Sequence, residues 1–268
     1  MNPSRLEVLS ALPADAARPW AVLFIHGAFT GAWCWNEHFL AHFAAAGWPS
    51  HALSLSGHGA SAGRERLDQL SIADYCADVR AVLATLDKPA VLIGHSMGGF
   101  IVQKLLEEEE ERVRAAVLMA SVPPQGLMAA SVGLWLARPD LLSDLNRLMC
   151  GSTPAVDRLA KALFAQPVDA ARLARYWHWA QPESHRALWD MTLDPPQPSR
   201  VLAHRARAHL KVVGGERDLL IPATLTQMTA RSYGVTATIY SGLGHGLMLE
   251  RDWPRVADDL LAFLETLR

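Results

Sequence analysis

Cysteine is scarce in this sequence, with three residues among 268. Cys34, Cys76 and Cys150 are odd in number and widely spaced, so they predict neither a disulfide framework nor a set of thiolate metal ligands. The N-terminus lacks the positively charged and then apolar layout of a secretory signal peptide. No apolar run approaches the length that spans a bilayer. We therefore expect a cytoplasmic protein with no membrane association.

An excess of charge of either sign is also absent. Only 19% of the residues are charged, the formal net charge is −2 and the isoelectric point is about 6.6. Proteins that bind nucleic acid or anionic membranes usually carry a basic surface, so neither partner is expected here. We expect a small-molecule substrate instead, with no metal ion and no cofactor. The sequence leaves the oligomeric state open.

Hydrophobic residues make up half of the chain, which is enough for a substantial core. Short, continuous apolar runs alternate with helical patterns, and such runs are typical of strands covered on both faces. The alternation predicts an α/β fold with a mostly parallel sheet flanked by helices. The predicted strands are Leu6–Leu12, Trp20–Ile25, Ser50–Leu55, Ala90–Ile93, Val113–Ala120, His209–Gly214 and Thr236–Ser241. The predicted helices include Trp35–Ala46, one that begins at a capping box of Ser71 and Asp74, and one from Trp253.

The strand pattern is interrupted in the second half of the chain. Between residues 123 and 199 there is no convincing strand, only short helical segments separated by prolines. We predict a helical cap at 123–199, inserted into a core formed by residues 1–122 and 200–268. Helical aromatics are core residues by default, but a tryptophan-rich cap over the sheet would also enclose an apolar pocket. Four of the nine tryptophans fall in the insertion: Trp135, Trp177, Trp179 and Trp189.

One predicted strand ends in the segment Gly94-His95-Ser96-Met97-Gly98, directly before an amphipathic helix. A serine between two glycines at a strand-to-helix turn is forced into a strained conformation that lifts its hydroxyl above the sheet edge. The N–H of Met97, at the helix start, is available to a negative charge forming nearby. The position of this segment between a strand and a helix, more than its five residues alone, predicts that Ser96 is a nucleophile.

A serine nucleophile needs a base and a carboxylate that orients the base, and two later loops supply these residues. Asp218 follows the first strand after the insertion, and His245 follows the last strand. Loops after the strands of an open α/β sheet meet at one edge, where ligands bind. A neutral His245 would accept the serine proton and Asp218 would fix its tautomer, with Glu216 as a rival acid. Three further histidines, interpreted as hydrogen-bonding residues that brace loops, are His26, His58 and His95.

Taken together, these motifs resemble the α/β-hydrolase fold across essentially the whole chain. The matching stretches are His26-Gly-Ala-Phe-Thr-Gly-Ala-Trp-Cys-Trp35, Gly57-His-Gly59, Gly-His-Ser96-Met-Gly and Gly-His245-Gly-Leu-Met. The resemblance implies an oxyanion hole formed by the backbone N–H groups of Ala28 and Met97. The first stretch looks closest to the plant-type methyl esterase and hydroxynitrile lyase branch.

The chain departs from the lyase pattern at two positions. Gly27 stands where the lyases are expected to have threonine, and Gly246 stands where they have lysine. Without that lysine, departing cyanide loses its electrostatic support, so the departures favour hydrolysis. A serine at position 96 also argues against relatives with an aspartate nucleophile, the haloalkane dehalogenases and epoxide hydrolases.

The sequence therefore predicts a serine hydrolase that cleaves carboxylic esters of small to medium, mostly apolar substrates. Catalysis would use Ser96, His245 and Asp218 and pass through an acyl-enzyme. The predicted pocket residues are Phe29, Trp135, Trp177, Trp189 and Leu219. The same triad also performs C–C bond, lactone or thioester hydrolysis and perhydrolysis, and some members of the fold that retain it are ligand receptors. The sequence leaves these alternatives open.

Overall fold

The computed structural model describes residues 6–15, 17–108, 111–128, 139–149, 155–204 and 209–267. At the centre of this part of the chain is a seven-stranded sheet. The strands are β1 (Val8–Ala11), β2 (Ala21–Ile25), β3 (Ser50–Leu53), β4 (Ala90–His95), β5 (Val113–Met119), β6 (His209–Gly215) and β7 (Ala237–Tyr240). Their order is β1-β3-β2-β4-β5-β6-β7, with β1 antiparallel to β3 and all other neighbours parallel. The predicted α/β fold class is confirmed.

Helices lie on both faces of this sheet. They are α1 (Trp33–Asn36), α2 (Phe39–Ala45), α3 (Ile72–Thr85), α4 (Met97–Glu107), α5 (Pro139–Met149), α6 (Val156–Leu163), α7 (Ala170–Trp179), α8 (His185–Leu193), α9 (Pro198–His204), α10 (Ala223–Ser232) and α11 (Trp253–Glu265), with a 3-10 helix at Arg64–Gln69. None of the helices in the described ranges is both long and apolar enough to cross a bilayer.

The two central strands explain the continuous apolar runs of the sequence. Every residue of β2 and β4 is buried. Leu23 and Leu92 point to the face covered by α3 and α4, whereas Phe24 and Ile93 point to the face covered by α2 and α11. Each large apolar side chain buried in this way contributes about 1.5–3 kcal/mol. Packing on both faces fixes the position of β4, whose end carries the candidate nucleophile.

Two helices differ from the sequence prediction. The predicted helix Trp35–Ala46 divides into α1 and α2 at His38, which has φ −144° and ψ −50° and stacks on Trp253 at 4.7 Å between ring centroids. Helix α10 escaped prediction because the residues it buries are Thr226, Thr229 and Ala230, which give no apolar stripe. The predicted capping box at the start of α3 is confirmed by the reciprocal hydrogen bonds of Ser71 and Asp74.

Between β5 and β6 the described residues form helices and no strand. Helix α8 packs against α3 and the 3-10 helix, and α9 packs against α4. The cap boundaries at residues 123 and 199 stay a prediction. Trp135 and Cys150 lie outside the described residues.

Candidate active site

Ser96 occupies the turn between β4 and α4. Its backbone has φ 52° and ψ −114°, a strained combination for a residue with a side chain. The turn is tight because α4 begins against the end of β2: a β-carbon on Gly98 would stand 2.4 Å from the carbonyl oxygen of Ile25. Ser96 is partly exposed between the buried residues His95 and Met97. The turn therefore presents the hydroxyl at the carboxyl edge of the sheet.

Asp218 and His245 form a buried pair at the same edge. Nδ1 of His245 is 2.7 Å from Oδ2 of Asp218, and the residues are only 4% and 3% exposed. The second carboxylate oxygen, Oδ1, accepts the N–H groups of Leu220 and Ile221, each at 2.8 Å. The carboxylate is thus anchored by its own loop and keeps a proton on Nδ1 of His245. Nε2 is left as the basic nitrogen.

Glu216, the rival acid, has a different partner. Its side chain is exposed and accepts the N–H of Gly242 at 2.9 Å. It lies one residue after the end of β6, whereas Asp218 lies two residues farther along. In the described part of the chain, His245 has Asp218 and not Glu216 as its carboxylate partner.

His95 links the serine turn to the histidine loop. Its Nε2 donates to the carbonyl oxygen of His245 at 3.0 Å, and the ring centroids of the two histidines are 4.6 Å apart. Burial, and secondly the neighbouring His245, lower the pKa of His95 well below its ordinary value, so its ring is neutral. The Ser96 hydroxyl itself makes no hydrogen bond to any described residue. In the described residues, His245 is thus joined to the serine turn through His95 and not through a hydrogen bond to Ser96.

Two backbone N–H groups near Ser96 are available to an anion. Neither the Ala28 nor the Met97 N–H has an acceptor among the described residues. Met97 is the first residue of α4, where no intrahelical acceptor exists. Ala28 follows Gly27, which lies against the serine: a β-carbon on Gly27 would be 3.0 Å from Cβ of Ser96. These are the two residues that the family resemblance implies for the oxyanion hole.

The loop His26–Thr30, called the oxyanion loop after the role predicted for Ala28, is held by hydrogen bonds on its inner side. The carbonyl oxygen of Gly27 accepts from Nδ1 of His26 at 2.8 Å and from Oγ1 of Thr30 at 2.9 Å. Nε2 of His26 accepts the N–H of Leu55 at 3.1 Å. Burial, and secondly the charge of His58, lower the pKa of His26 to about 3, so the ring stays neutral. A neutral ring with its proton on Nδ1 satisfies both contacts.

An apolar cavity of about 90 Å³ opens beside the oxyanion loop. Phe29 and Trp177, two of the five predicted pocket residues, line it. Trp189 and Leu219 do not: they are 61% and 37% exposed, and Trp189 lies on the outer side of α8, whose buried side holds Ala187 and Met191. Trp135 is not among the described residues. Other lining residues include Trp33, Cys34, Leu163, Phe164, Tyr176, Met248 and Leu249.

Trp33 and Phe164 are cavity residues that the sequence reasoning missed. Trp33 lies within the stretch His26–Trp35 that carries the family resemblance, so interpreting the end of that stretch as pocket lining would have found it. It stacks on Tyr176 of α7 at 5.5 Å between ring centroids, which joins α1 to α7 at the cavity. Phe164 gave no signal, because a single aromatic residue at the end of a short helix is typical of ordinary core packing.

No group of three or more side chains suited to bind a metal ion occurs in the described part of the chain. His38 and His42 have the four-residue spacing of a metal-binding pair, but they are used otherwise. Nε2 of His42 bonds Asp258 at 2.8 Å, and His38 stacks on Trp253.

Comparison of the sequence with known proteins finds a matching family. The sequence profile of the Alpha/beta hydrolase family matches residues 22–259. Norfluorocurarine synthase 2 from a Strychnos species is 32% identical over 105 residues, which are 38% of this chain and 38% of that protein. Methyl jasmonate esterase 1 from Vitis vinifera is also 32% identical over 105 residues, 38% of this chain and 39% of that protein. The chain thus spans about two fifths of the length of the curated relatives it matches.

Solved structures agree with this chain in fold over a longer stretch. A bromoperoxidase from Bacillus anthracis has a TM-score of 0.72 and 17% identity, and the alignment covers 97% of this chain and 94% of that one. At this identity the likeness concerns the fold alone.

Proposed function

The chain belongs to the alpha/beta hydrolase family, and on this premise we propose that it hydrolyses carboxylic esters through Ser96, His245 and Asp218. The buried pair of His245 and Asp218, 2.7 Å apart at the edge that also carries the strained Ser96, is the observation behind this proposal. A serine hydroxyl is a weak nucleophile at neutral pH and needs a neutral imidazole oriented by a carboxylate.

The reaction proceeds by acyl transfer to Ser96. The hydroxyl oxygen attacks the ester carbonyl carbon while Nε2 of His245 accepts the hydroxyl proton, which gives a tetrahedral intermediate. The N–H groups of Ala28 and Met97 donate to its oxyanion, and each such donor contributes about 3 kcal/mol to the transition state. His245 then protonates the leaving alcohol. Water, deprotonated by His245, attacks the acyl-enzyme, and collapse of the second intermediate releases the acid and restores Ser96.

The first proton transfer requires Ser96 and His245 to approach each other. Hydrogen bonds between catalytic groups often tighten only when substrate is bound, and the serine side chain turns freely about one bond. His245 is less free, because Asp218 and His95 hold its ring and its carbonyl oxygen. We therefore infer that the serine side chain rotates towards a fixed imidazole.

The cavity supports a small to medium apolar substrate group. Since one water needs about 10–15 Å³ of comparable volume, the cavity holds about six to nine water-sized groups. Aromatic and aliphatic side chains form nearly all of its lining, and a charged or strongly polar group would lose its hydration there without replacement. Esters with short aliphatic or aryl groups fit these constraints.

Two glycines favour hydrolysis over cyanohydrin cleavage. A β-carbon on Gly246 would stand 2.6 Å from Cε1 of Phe164, so the lysine of the lyase pattern does not fit unless Phe164 moves. A β-carbon on Gly27 would stand 2.9 Å from Nδ1 of His95, which leaves no room for threonine. Both residues that mark the lyase pattern would therefore require side chains already packed in the site to move.

Turnover of p-nitrophenyl acetate and butyrate by the wild type and by Ser96→Ala tests the proposed function. We expect the variant to lose hydrolysis and fluorophosphonate labelling while it keeps its circular dichroism spectrum and melting temperature. Ser10→Ala, on the edge strand β1, is the control and keeps full activity. Undiminished hydrolysis by Ser96→Ala would refute the nucleophile assignment.

A substrate panel separates the other reactions of this triad. Esters, a lactone, an aryl thioester and a β-diketone are compared by kcat/KM, and we expect the short esters to rank first. A ligand receptor would instead show very slow turnover of all of them together with a large ligand-induced rise in melting temperature.

A further inference from the structure

Glu183 is a fully buried carboxylate that no step of the proposed reaction uses. It lies in segment 181–184, between α7 and α8, and its side chain is 0% exposed. Oε1 accepts the hydroxyl of Tyr75 at 2.9 Å and the N–H of Ser184 at 2.7 Å. Oε2 lies 3.0 Å from Nε2 of His58 and accepts the N–H of Phe29 at 3.4 Å. Four donors surround this carboxylate, and two of them, on His58 and Phe29, lie on loops of the candidate site.

The contact with His58 is a buried ion pair. Nδ1 of His58 lies 3.0 Å from the carbonyl oxygen of Ser56, and Nε2 faces Glu183, so both nitrogens meet acceptors. An imidazole satisfies two acceptors only when it carries both protons. Burial alone would raise the pKa of the Glu183 carboxyl, but the charge of His58 and the donated hydrogen bonds outweigh it and lower that pKa.

Segment 181–184 holds Phe29 from both sides. The N–H of Gln181 donates to the carbonyl oxygen of Phe29 at 3.0 Å, while the N–H of Phe29 donates to Glu183. The Gln181 side chain also bonds the carbonyl oxygen of Gly57 at 3.1 Å and the N–H of Gly59 at 3.0 Å. Phe29 has φ 66°, a left-handed conformation that a residue with a side chain keeps only when its surroundings enforce it.

We propose that Glu183 is a positioning residue of the oxyanion hole, which holds Phe29 and thereby aims the N–H of the preceding Ala28 at the oxyanion. This assignment rests on the proposed function. The oxyanion loop then takes its active conformation only while segment 181–184 is seated on it. Ground-state binding in the apolar cavity does not use the Ala28 N–H, so the effect of Glu183 falls on the transition state.

Glu183→Gln tests this role because it keeps the shape of the side chain and removes the charge. We expect kcat for p-nitrophenyl butyrate to fall at least about tenfold with little change in KM, since misaligned oxyanion donors weaken transition-state binding. Asp190→Asn is the matched control. Asp190 also joins α8 to the core, through the N–H of Ile72, but it is remote from the oxyanion loop, so its variant keeps wild-type kcat.

A pair of inhibitors distinguishes positioning from general damage. A trifluoromethyl ketone adds Ser96 and places an oxyanion in the hole, whereas the methyl ketone of equal length binds without forming one. Glu183→Gln should weaken the trifluoromethyl ketone by the same factor as kcat/KM and leave the methyl ketone within about twofold. Equal weakening of both ligands, or an unchanged kcat, would overturn the assignment.

Glu183→Asp provides the same measurements if the glutamine variant does not fold. It keeps the charge opposite His58 but is one methylene too short to reach the N–H of Phe29 as well, so the same selective loss is expected.

Failure of the positioning role is distinguishable from failure of the proposed function. If Ser96→Ala is inactive and Glu183→Gln keeps full kcat, only the positioning role is refuted; if Ser96→Ala stays active, the proposed function itself fails.

Discussion

Nδ1 of His26 donates to the carbonyl oxygen of Gly27, the next residue along the chain, at 2.8 Å. This hydrogen bond also orients the N–H of Ala28, because the Gly27 carbonyl and the Ala28 N–H belong to one planar peptide group. The two groups point in opposite directions within that plane, so fixing the direction of the carbonyl fixes that of the N–H. The oxyanion donor of the proposed mechanism is thus oriented by a histidine that takes no part in proton transfer.

Acid should destabilise the protein through His26. Its pKa is lowered to about 3 in the folded state, against about 6.5 in an unfolded chain. The neutral ring therefore contributes stability that is fully present above pH 6.5 and is lost as the pH falls towards 3. The loss is up to about 1.4 kcal/mol per pH unit. Urea unfolding between pH 4.5 and 7.5 measures this slope.

His26→Asn is the informative variant for that slope. The asparagine amide can still donate to the carbonyl oxygen of Gly27, but it does not titrate. We expect the free energy of unfolding of His26→Asn to depend on pH less steeply than that of the wild type, by about 1 kcal/mol per pH unit. Identical slopes would show that His26 does not carry the acid sensitivity. His95, whose pKa is also lowered by burial, adds a slope of the same sign that remains in the variant.

Asp218→Asn should lower kcat/KM about 10³- to 10⁴-fold without unfolding the protein, because an amide no longer fixes the tautomer or balances the charge of His245. Hydrolysis of p-nitrophenyl butyrate measures the loss. Glu216→Gln is the control from the same loop, and it keeps its hydrogen bond to Gly242 and its activity. A strong loss in Glu216→Gln with activity retained in Asp218→Asn would reverse the assignment.

Phe164→Ala should enlarge the cavity and shift the preference towards longer acyl chains. The ring lines the cavity and is 9% exposed, so its removal leaves space at the cost of about 3 kcal/mol of stability. The ratio of kcat/KM for p-nitrophenyl octanoate to that for butyrate should rise in this variant. Trp189→Ala removes an exposed aromatic residue of α8 outside the cavity, and its ratio should match the wild type. Equal ratios in all three proteins would place the acyl group elsewhere.

Cys34 and Cys76 should resist alkylation in the folded protein. Burial raises the pKa of each thiol to about 12, so almost no thiolate is present at pH 8. Peptide mapping after iodoacetamide treatment should find both residues unmodified in buffer and modified in urea. Rapid labelling of Cys34 in buffer would mean that the cavity it lines opens to solvent.

Local patterns predicted the sheet well, and they place the three candidate catalytic residues on loops of one sheet. The strand before Ser96 is a fully buried apolar run, and the motifs around Ser96, Asp218 and His245 follow strands whose ends the parallel sheet brings together. Contacts between segments that are distant in sequence could not be predicted from local patterns. Glu183 meets Phe29 across 154 residues, and nothing in its neighbourhood of the sequence signals a buried charge. A glutamate next to a proline is usually on the surface, and only the tertiary structure supplies His58 as its counter-charge.

The pairing of Glu183 with His58 also limits how this chain can be recombined with its relatives. A graft that replaces residues 123–199 takes Glu183 away and leaves the buried His58 without its carboxylate partner, and removing one member of a buried pair typically costs about 3–5 kcal/mol. Chimaeras should therefore keep segment 181–184 with the host loops and exchange only the helices around it. Segment 181–184 and the loops that carry His58 and Phe29 therefore form one packing unit, although 125 residues separate Glu183 from His58 in sequence.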